Sequence, residues 1–353
     1  MTGNGNTAIG DNAGVTLQGT AANNTALGYL SGAAITTGGS NTVIGATAGD
    51  ALTDGTNNTF LGIGAGGTTT SVGYSVAIGM EAMNASNVTS GANHTIAIGT
   101  NALNALTSAS GNIAIGYETL LGHTTGARNI ALGWKAMNDT DANDCPTSTD
   151  NIMIGYDAGG GTWANNDSNY NVGIGNYAMD AVMNGATRNT AIGYGALGAL
   201  TTGVDNVAVG TGAGDNDIAL SSGSQNTIIG KNADVGAVSA TNQTAIGYNC
   251  TSYNADNVVT LGNADVNGVY MGQNSQAHVY CGDITIGGSK GLYGYSSRLF
   301  MWTNTDGTFI RSTDNGNTDG IHFQNYNGVA EIVTFLDSGN VGIGTVAPTY
   351  KLG

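Results

Sequence analysis

Asn189-Thr-Ala-Ile-Gly193, Asn206-Val-Ala-Val-Gly210 and Asn226-Thr-Ile-Ile-Gly230 follow one another with their glycines 17 and 20 residues apart. Working outward in both directions, the same five-residue unit closes on Gly10, Gly28, Gly45, Gly62, Gly79, Gly99, Gly116, Gly133, Gly155, Gly175, Gly193, Gly210, Gly230, Gly247 and Gly262. The fourteen intervals run from 15 to 22 residues and average 18, so one unit corresponds to one structural coil. Asn opens the unit in eleven of the fifteen coils. A recurring Asn has no use in a helical array, whereas in stacked parallel strands identical amides bond from layer to layer. No helical period of 3.6 runs anywhere in the repeat, and the pattern predicts a parallel β-solenoid over residues 1–262. Fifteen layers at about 4.8 Å each would extend about 70 Å.

The columns of the repeat assign faces, because side chains along a strand alternate between two sides. The residue before each glycine is always Ile, Leu or Val, as in Ile9, Leu61, Ile115 and Ile229. That column, with the β-branched one two residues earlier, reads as the core, and a charge at Ile115 would then be costly to bury. Three residues after the glycine stands Ala in eleven of fifteen coils, which marks a place of close approach. Length varies only in the Thr-, Gly-, Asn-, Ser- and Asp-rich stretch between that Ala and the next Asn, which is turn chemistry and the natural place for protruding loops.

Composition narrows the function classes. Of 353 residues 59 are Gly and only 2 are Pro, which excludes a collagen triple helix despite the glycine. Hydrophobic residues make up 40% of the chain, enough to fold. The net charge of −16 would repel a phosphate backbone, so nucleic acid is not an expected partner. No stretch approaches eighteen consecutive apolar residues, so membrane insertion is not expected either. Cys145, Cys250 and Cys281 lie far apart and suggest neither a disulfide framework nor a metal knuckle.

From Asn263 the period fails, and 11 of the 23 aromatic residues lie in the last ninety-one positions. Apolar runs such as Leu299–Trp302, Ile321–Phe323 and Glu331–Leu336 are separated by Asp306-Gly307, Asn315-Gly316, Asn327-Gly328 and Ser338-Gly339, which are hairpin turn signals. The expectation is a small antiparallel β domain over 263–338, followed by a distinct terminal segment over 339–353.

Asn189-Thr-Ala-Ile-Gly193, Asn226-Thr-Ile-Ile-Gly230 and Ser75-Val-Ala-Ile-Gly79 resemble the head repeats of trimeric autotransporter adhesins. That resemblance implies a left-handed β-roll assembled as a homotrimer. Gly339-Asn-Val-Gly-Ile-Gly-Thr-Val-Ala-Pro-Thr-Tyr-Lys-Leu352 resembles the junction of bacteriophage tail fibres and tailspikes that precedes an endosialidase-type intramolecular chaperone domain. Together the resemblances imply a virion tail fibre, or else a bacterial surface adhesin or self-assembling extracellular filament. The partners so implied are further copies of the chain, other fibre or baseplate subunits, and a host-surface glycan or protein receptor. They also imply that the coding sequence continues beyond Gly353 into a chaperone domain.

Candidate sites are few, and no catalytic constellation is nominated. Gly62–Gly67 and Gly193–Gly198 satisfy the GxGxxG spacing but lie across the repeat corner, where the helix that such a dinucleotide fingerprint needs is not expected. Asp139, Asp141, Asn143 and Asp150 stand at positions 1, 3, 5 and 12 of a calcium loop, although position 6 is Asp144 rather than Gly and position 12 is not Glu. Calcium is therefore a candidate ligand beside the plainer reading of a solvated acidic loop. Aromatics follow the motif glycine in six coils, at Tyr29, Tyr117, Trp134, Tyr156, Tyr194 and Tyr248. Such a column packs ring on ring, lines a subunit contact or stacks sugars. In the C-terminal region Tyr293, Tyr295 and Trp302 are the candidate receptor contacts.

Overall fold

The computed structural model describes residues 4–85, 88–139, 147–164, 166–266, 320–324, 331–336 and 341–343. The chain divides into two compact units, Met1–Tyr270 and Met271–Gly353. In the first, each repeat forms one three-residue strand, from β1 (Thr7–Ile9) to β15 (Val259–Leu261), and all fifteen pair in sequence order. Every pairing is parallel and in register, so that Thr7 faces Thr25, Ile115 faces Leu132 and Ile192 faces Val209. This is a parallel β-solenoid, and among the described residues its helical content is the single turn Ser90–Ala92. In the second unit β16 (Gly320–Gln324), β17 (Glu331–Leu336) and β18 (Val341–Ile343) pair antiparallel.

The strand core is the reverse of the one expected from the sequence. The middle residue of each strand points inward: Ala26, Val43, Phe60, Ala114 and Met153 are fully buried. The Ile, Leu or Val before the glycine points outward, and Ile115 is 36% exposed. The β-branched residue two positions earlier shares that outward face. The physical reason is the width of the coil. Its interior opposite the strand is already filled by the Ala three residues past the glycine and by large side chains at the next position, such as Met83, Leu103, Leu120 and Met137. Only a small residue fits between them, and close packing decides over hydrophobicity.

The exceptions obey the same rule. In three of the four coils with a large middle strand residue, the residue four past the glycine is Gly: Val43 goes with Gly49, Phe60 with Gly66 and Met153 with Gly159. The fourth, Ile228, has Asp234 there and finds its space against Gly214 of the preceding coil, where a Cβ would come within 3.1 Å of it. A Cβ on Gly66 would lie 2.6 Å from the Phe60 ring. The motif glycine is fixed by a different contact. Gly62 has φ +137°, and a Cβ there would lie 2.5 Å from the carbonyl oxygen of Gly79 in the next coil.

The Asn column forms the inter-layer ladder that the repeat predicts. The backbone N–H and the Nδ2 of Asn41 both donate to Oδ1 of Asn24 at 3.0 Å, and Nδ2 also donates to the Gly55 carbonyl at 2.8 Å. The same bonds link Asn6 through Asn58 and Asn112 through Asn226, all buried from Asn24 onward. Ser75 and Thr95 interrupt the series. The Thr95 N–H still donates to Ser75 Oγ at 3.2 Å, but the buried Thr95 Oγ1 has no partner. At the far end Gln243 donates its N–H to Asn226 Oδ1 and turns its own Oε1 back to the Gly236 N–H.

Candidate functional site

Three surfaces of the solenoid carry chemistry, and each is built from one or two columns to which every coil adds a residue. The first is the outward strand face. One of its columns runs Val76, Ile96, Ile113, Ile130, Ile152 and Val172 through the middle coils, with Thr7, Thr25, Thr42 and Thr59 before them. The other is aliphatic throughout. The result is a continuous band of partly exposed Ile, Leu, Val and Thr with no charged side chain in either column.

The second surface is the corner immediately before the ladder residue. Asn23, Asn57, Tyr74, His94, Arg128, Asp150, Arg188 and Asp205 all adopt φ near +60° there. Three neighbouring pairs in this column are matched. Tyr74 stacks on His94 with centroids 5.2 Å apart and planes 1° from parallel. Arg128 and Arg188 form two-pronged ion pairs with Asp150 and Asp205 of the following coils.

The third surface follows the motif glycine. Tyr117 and Trp134 stack with centroids 4.3 Å apart, while Tyr156, Tyr177 and Tyr194 meet edge to face at 5.3 and 5.6 Å. Ring-on-ring packing is thus one part of what the column does. Tyr177 escaped the sequence reading because Asn176 occupies the usual position and the ring moves one residue on. The signal was there, since an aromatic lies within two residues of the glycine in every coil from Tyr117 to Tyr194. Tyr29 and Tyr248 are exposed, and neither has a ring neighbour among the described residues.

Of the calcium candidates, Asp141 and Asn143 lie outside the described residues. Asp139 accepts a hydrogen bond from Thr162 Oγ1 at 2.8 Å. The Asp150 carboxylate is taken up by Arg128, and that hydrogen-bonded ion pair holds its pKa below the usual carboxylate range. Among the described residues no three His, Cys, Asp or Glu side chains come together as a metal site. Tyr293, Tyr295 and Trp302 also lie outside the described residues. The two GxGxxG stretches cross the glycine corner, and no helix follows either one. No described helix is long and apolar enough to cross a membrane.

Two buried or half-buried titratable groups stand apart. His123 occupies the core position that is Leu17, Leu52, Leu106 or Leu200 in other coils. Burial depresses its pKa to about 4, although Nε2 lies 2.7 Å from the Gly126 carbonyl oxygen. Asp215 is pushed up to about 6, first by burial and then by the charges of Asp180 and Asp234. Gly198, in the intervening coil, leaves the space between Asp180 and Asp215, since a Cβ there would come within 2.5 Å of Asp215 Oδ2 and 3.3 Å of Asp180 Oδ1. Neither a protein-family model nor a curated protein matches this chain.

Proposed function

We propose that the chain is a non-enzymatic structural fibre for surface attachment, of the phage tail-fibre kind, in which a left-handed solenoid shaft self-associates as a homotrimer and the same chain carries a C-terminal antiparallel β domain. The observation that carries this reading is the outward strand face. Fourteen steps of about 4.8 Å make a band about 70 Å long, and two outward columns make it about 10 Å wide. That is about 700 Å² per chain, close to the roughly 800 Å² that each partner contributes to a stable interface. A band of this size with no charge in its columns is unusual on a monomer. In an in-register cyclic assembly each coil meets the same coil of its neighbours, so Thr rows face Thr rows and Ile rows face Ile rows. The function that follows is display: a stiff shaft holds its loops in fixed places, and several copies multiply weak contacts.

The test is native mass by light scattering. The full chain is expected at three times its 35.2 kDa. Ile98→Asp with Ile115→Asp is expected to yield a monomer that keeps the β circular-dichroism signal, because both side chains point out of the coil. A monomeric parent protein overturns the proposal.

A further inference from the structure

We infer that the step between Trp134 and Tyr156 in the aromatic column is a docking site for a neutral oligosaccharide. Five rings occupy five consecutive coils, Tyr117, Trp134, Tyr156, Tyr177 and Tyr194. Adjacent rings touch at every step but one: among the described residues no ring contact joins Trp134 to Tyr156. The backbones do not part there, since the Asp157 N–H donates to the Trp134 carbonyl at 2.9 Å. One indole face is therefore covered by Tyr117 while the other has no ring against it. Trp134 remains 49% exposed and Tyr156 42% exposed.

An open, flat, amphipathic ring face held rigid from behind suits the C–H-rich face of a pyranose, which has a similar width and needs a dry platform beside polar groups. The residues that follow the rings in sequence, Lys135 and Asp157, are polar. Lys135 is held by Glu118 at 3.4 Å, while Asp157 has no basic partner among the described residues. Carboxylate oxygens accept hydrogen bonds from sugar hydroxyls. With a chain charge of −16, a carboxylated or sulfated glycan would be repelled, which selects neutral sugars. The five coils span about 19 Å, long enough for several linked sugars. The inference deepens the attachment reading and rests on it only for why a surface sugar would be met.

The experiment titrates the full chain with the N-acetylglucosamine tetramer and with maltopentaose, with an oligogalacturonate as the anionic control, reading tryptophan emission and heat. One of the neutral probes is expected to bind. Trp134→Ala and Tyr156→Ala should each weaken it about tenfold, the scale of losing an anchoring ring. Trp134→Phe should retain most of the binding, and Tyr29→Ala should not change it. Failure of both neutral probes, binding that neither substitution moves, or tighter binding of the anionic probe overturns the site. So does an emission at Trp134 that acrylamide cannot quench in the native assembly, which would mean that another copy covers it. Mass measured on the same samples separates the two readings: a trimer that ignores sugar sinks only this one, and a monomer that binds sugar sinks only the fibre.

Discussion

Arg128 Nε lies 2.6 Å from Asp150 Oδ1 and its second prong lies 2.7 Å from Oδ2, across 22 residues of sequence but a single layer of the solenoid. Arg188 and Asp205 repeat the arrangement at 17 residues. The matched corner holds its register whatever the length of the loop between its members.

Such exposed pairs add little to stability, because water screens them. Arg128→Gln should leave the melting temperature within error at physiological salt. The backbone beneath is less forgiving, since Asp150 has φ +60°. Asp150→Val puts a β-branched residue in that left-handed region and should cost about 1–2 kcal/mol, while Asp150→Gly should be tolerated. Thermal melts of the three variants check the contrast.

The interrupted ladder predicts a gain. Thr95→Asn should supply the missing amide beside Asn112, remove the unpartnered Thr95 Oγ1 and raise stability by about 1 kcal/mol. Asn41→Ala should cost about 3 kcal/mol, because it leaves the Gly55 carbonyl and the Asn58 N–H without their bonds. Denaturant titrations measure both. A Thr95→Asn variant no more stable than the parent would mean that the ladder does not extend through that step.

Acid should act on His123 and Asp215 in opposite directions. The folded pKa of His123, about 4, is below its unfolded value of about 6.5. Its contribution is complete above pH 6.5 and is lost as pH falls toward 4, by about 3 kcal/mol. The folded pKa of Asp215, about 6, is above its unfolded value. It therefore burdens the fold at pH 7 and is relieved as pH falls through 6, by about 1 kcal/mol once solvent screening of a half-exposed group is allowed for. His123→Leu should flatten the loss between pH 6.5 and 4, and Asp215→Asn should raise stability at pH 7 without a further gain at pH 4.

The exchange of bulk between Phe60 and Gly66 predicts a rescue. Gly66→Ala should fail, since its Cβ meets the ring at 2.6 Å and φ is +59°. Phe60→Ala should cost about 3–5 kcal/mol by opening a cavity. Phe60→Ala with Gly66→Met recreates the pairing of Ala77 with Met83, and it should recover part of that loss. Melting curves of the single and double variants decide it.

The period, the parallel stacking, the Asn ladder and the buried Ala column were all legible, because each depends on identity at a fixed spacing. The phase of the strand was not. Hydrophobicity ranks Ile115 above Ala114 as a core residue, yet the coil is too narrow opposite Leu120 for anything but Ala. The clue was the compensation of Val43 by Gly49 and Phe60 by Gly66, which marks facing positions across a shared space. The open ring step at Trp134 was not legible, because the sequence places Trp134 and Tyr156 at equivalent positions after their glycines, as it does the touching pair Tyr117 and Trp134.

The in-register stacking also governs how the first unit comes into being. Nearly every bond between coils joins residues one repeat apart, about 18 positions. Over the 270 residues of that unit this is a relative contact order of about 0.07, at the low end of the range of helical bundles and far below that of ordinary β proteins. Leu103, Leu120 and Met137 hold left-handed backbone that only a neighbouring coil makes worthwhile, so a lone repeat has little reason to order. Once two or three coils have met, each later one closes a short loop onto a finished template, and the solenoid can grow one coil at a time.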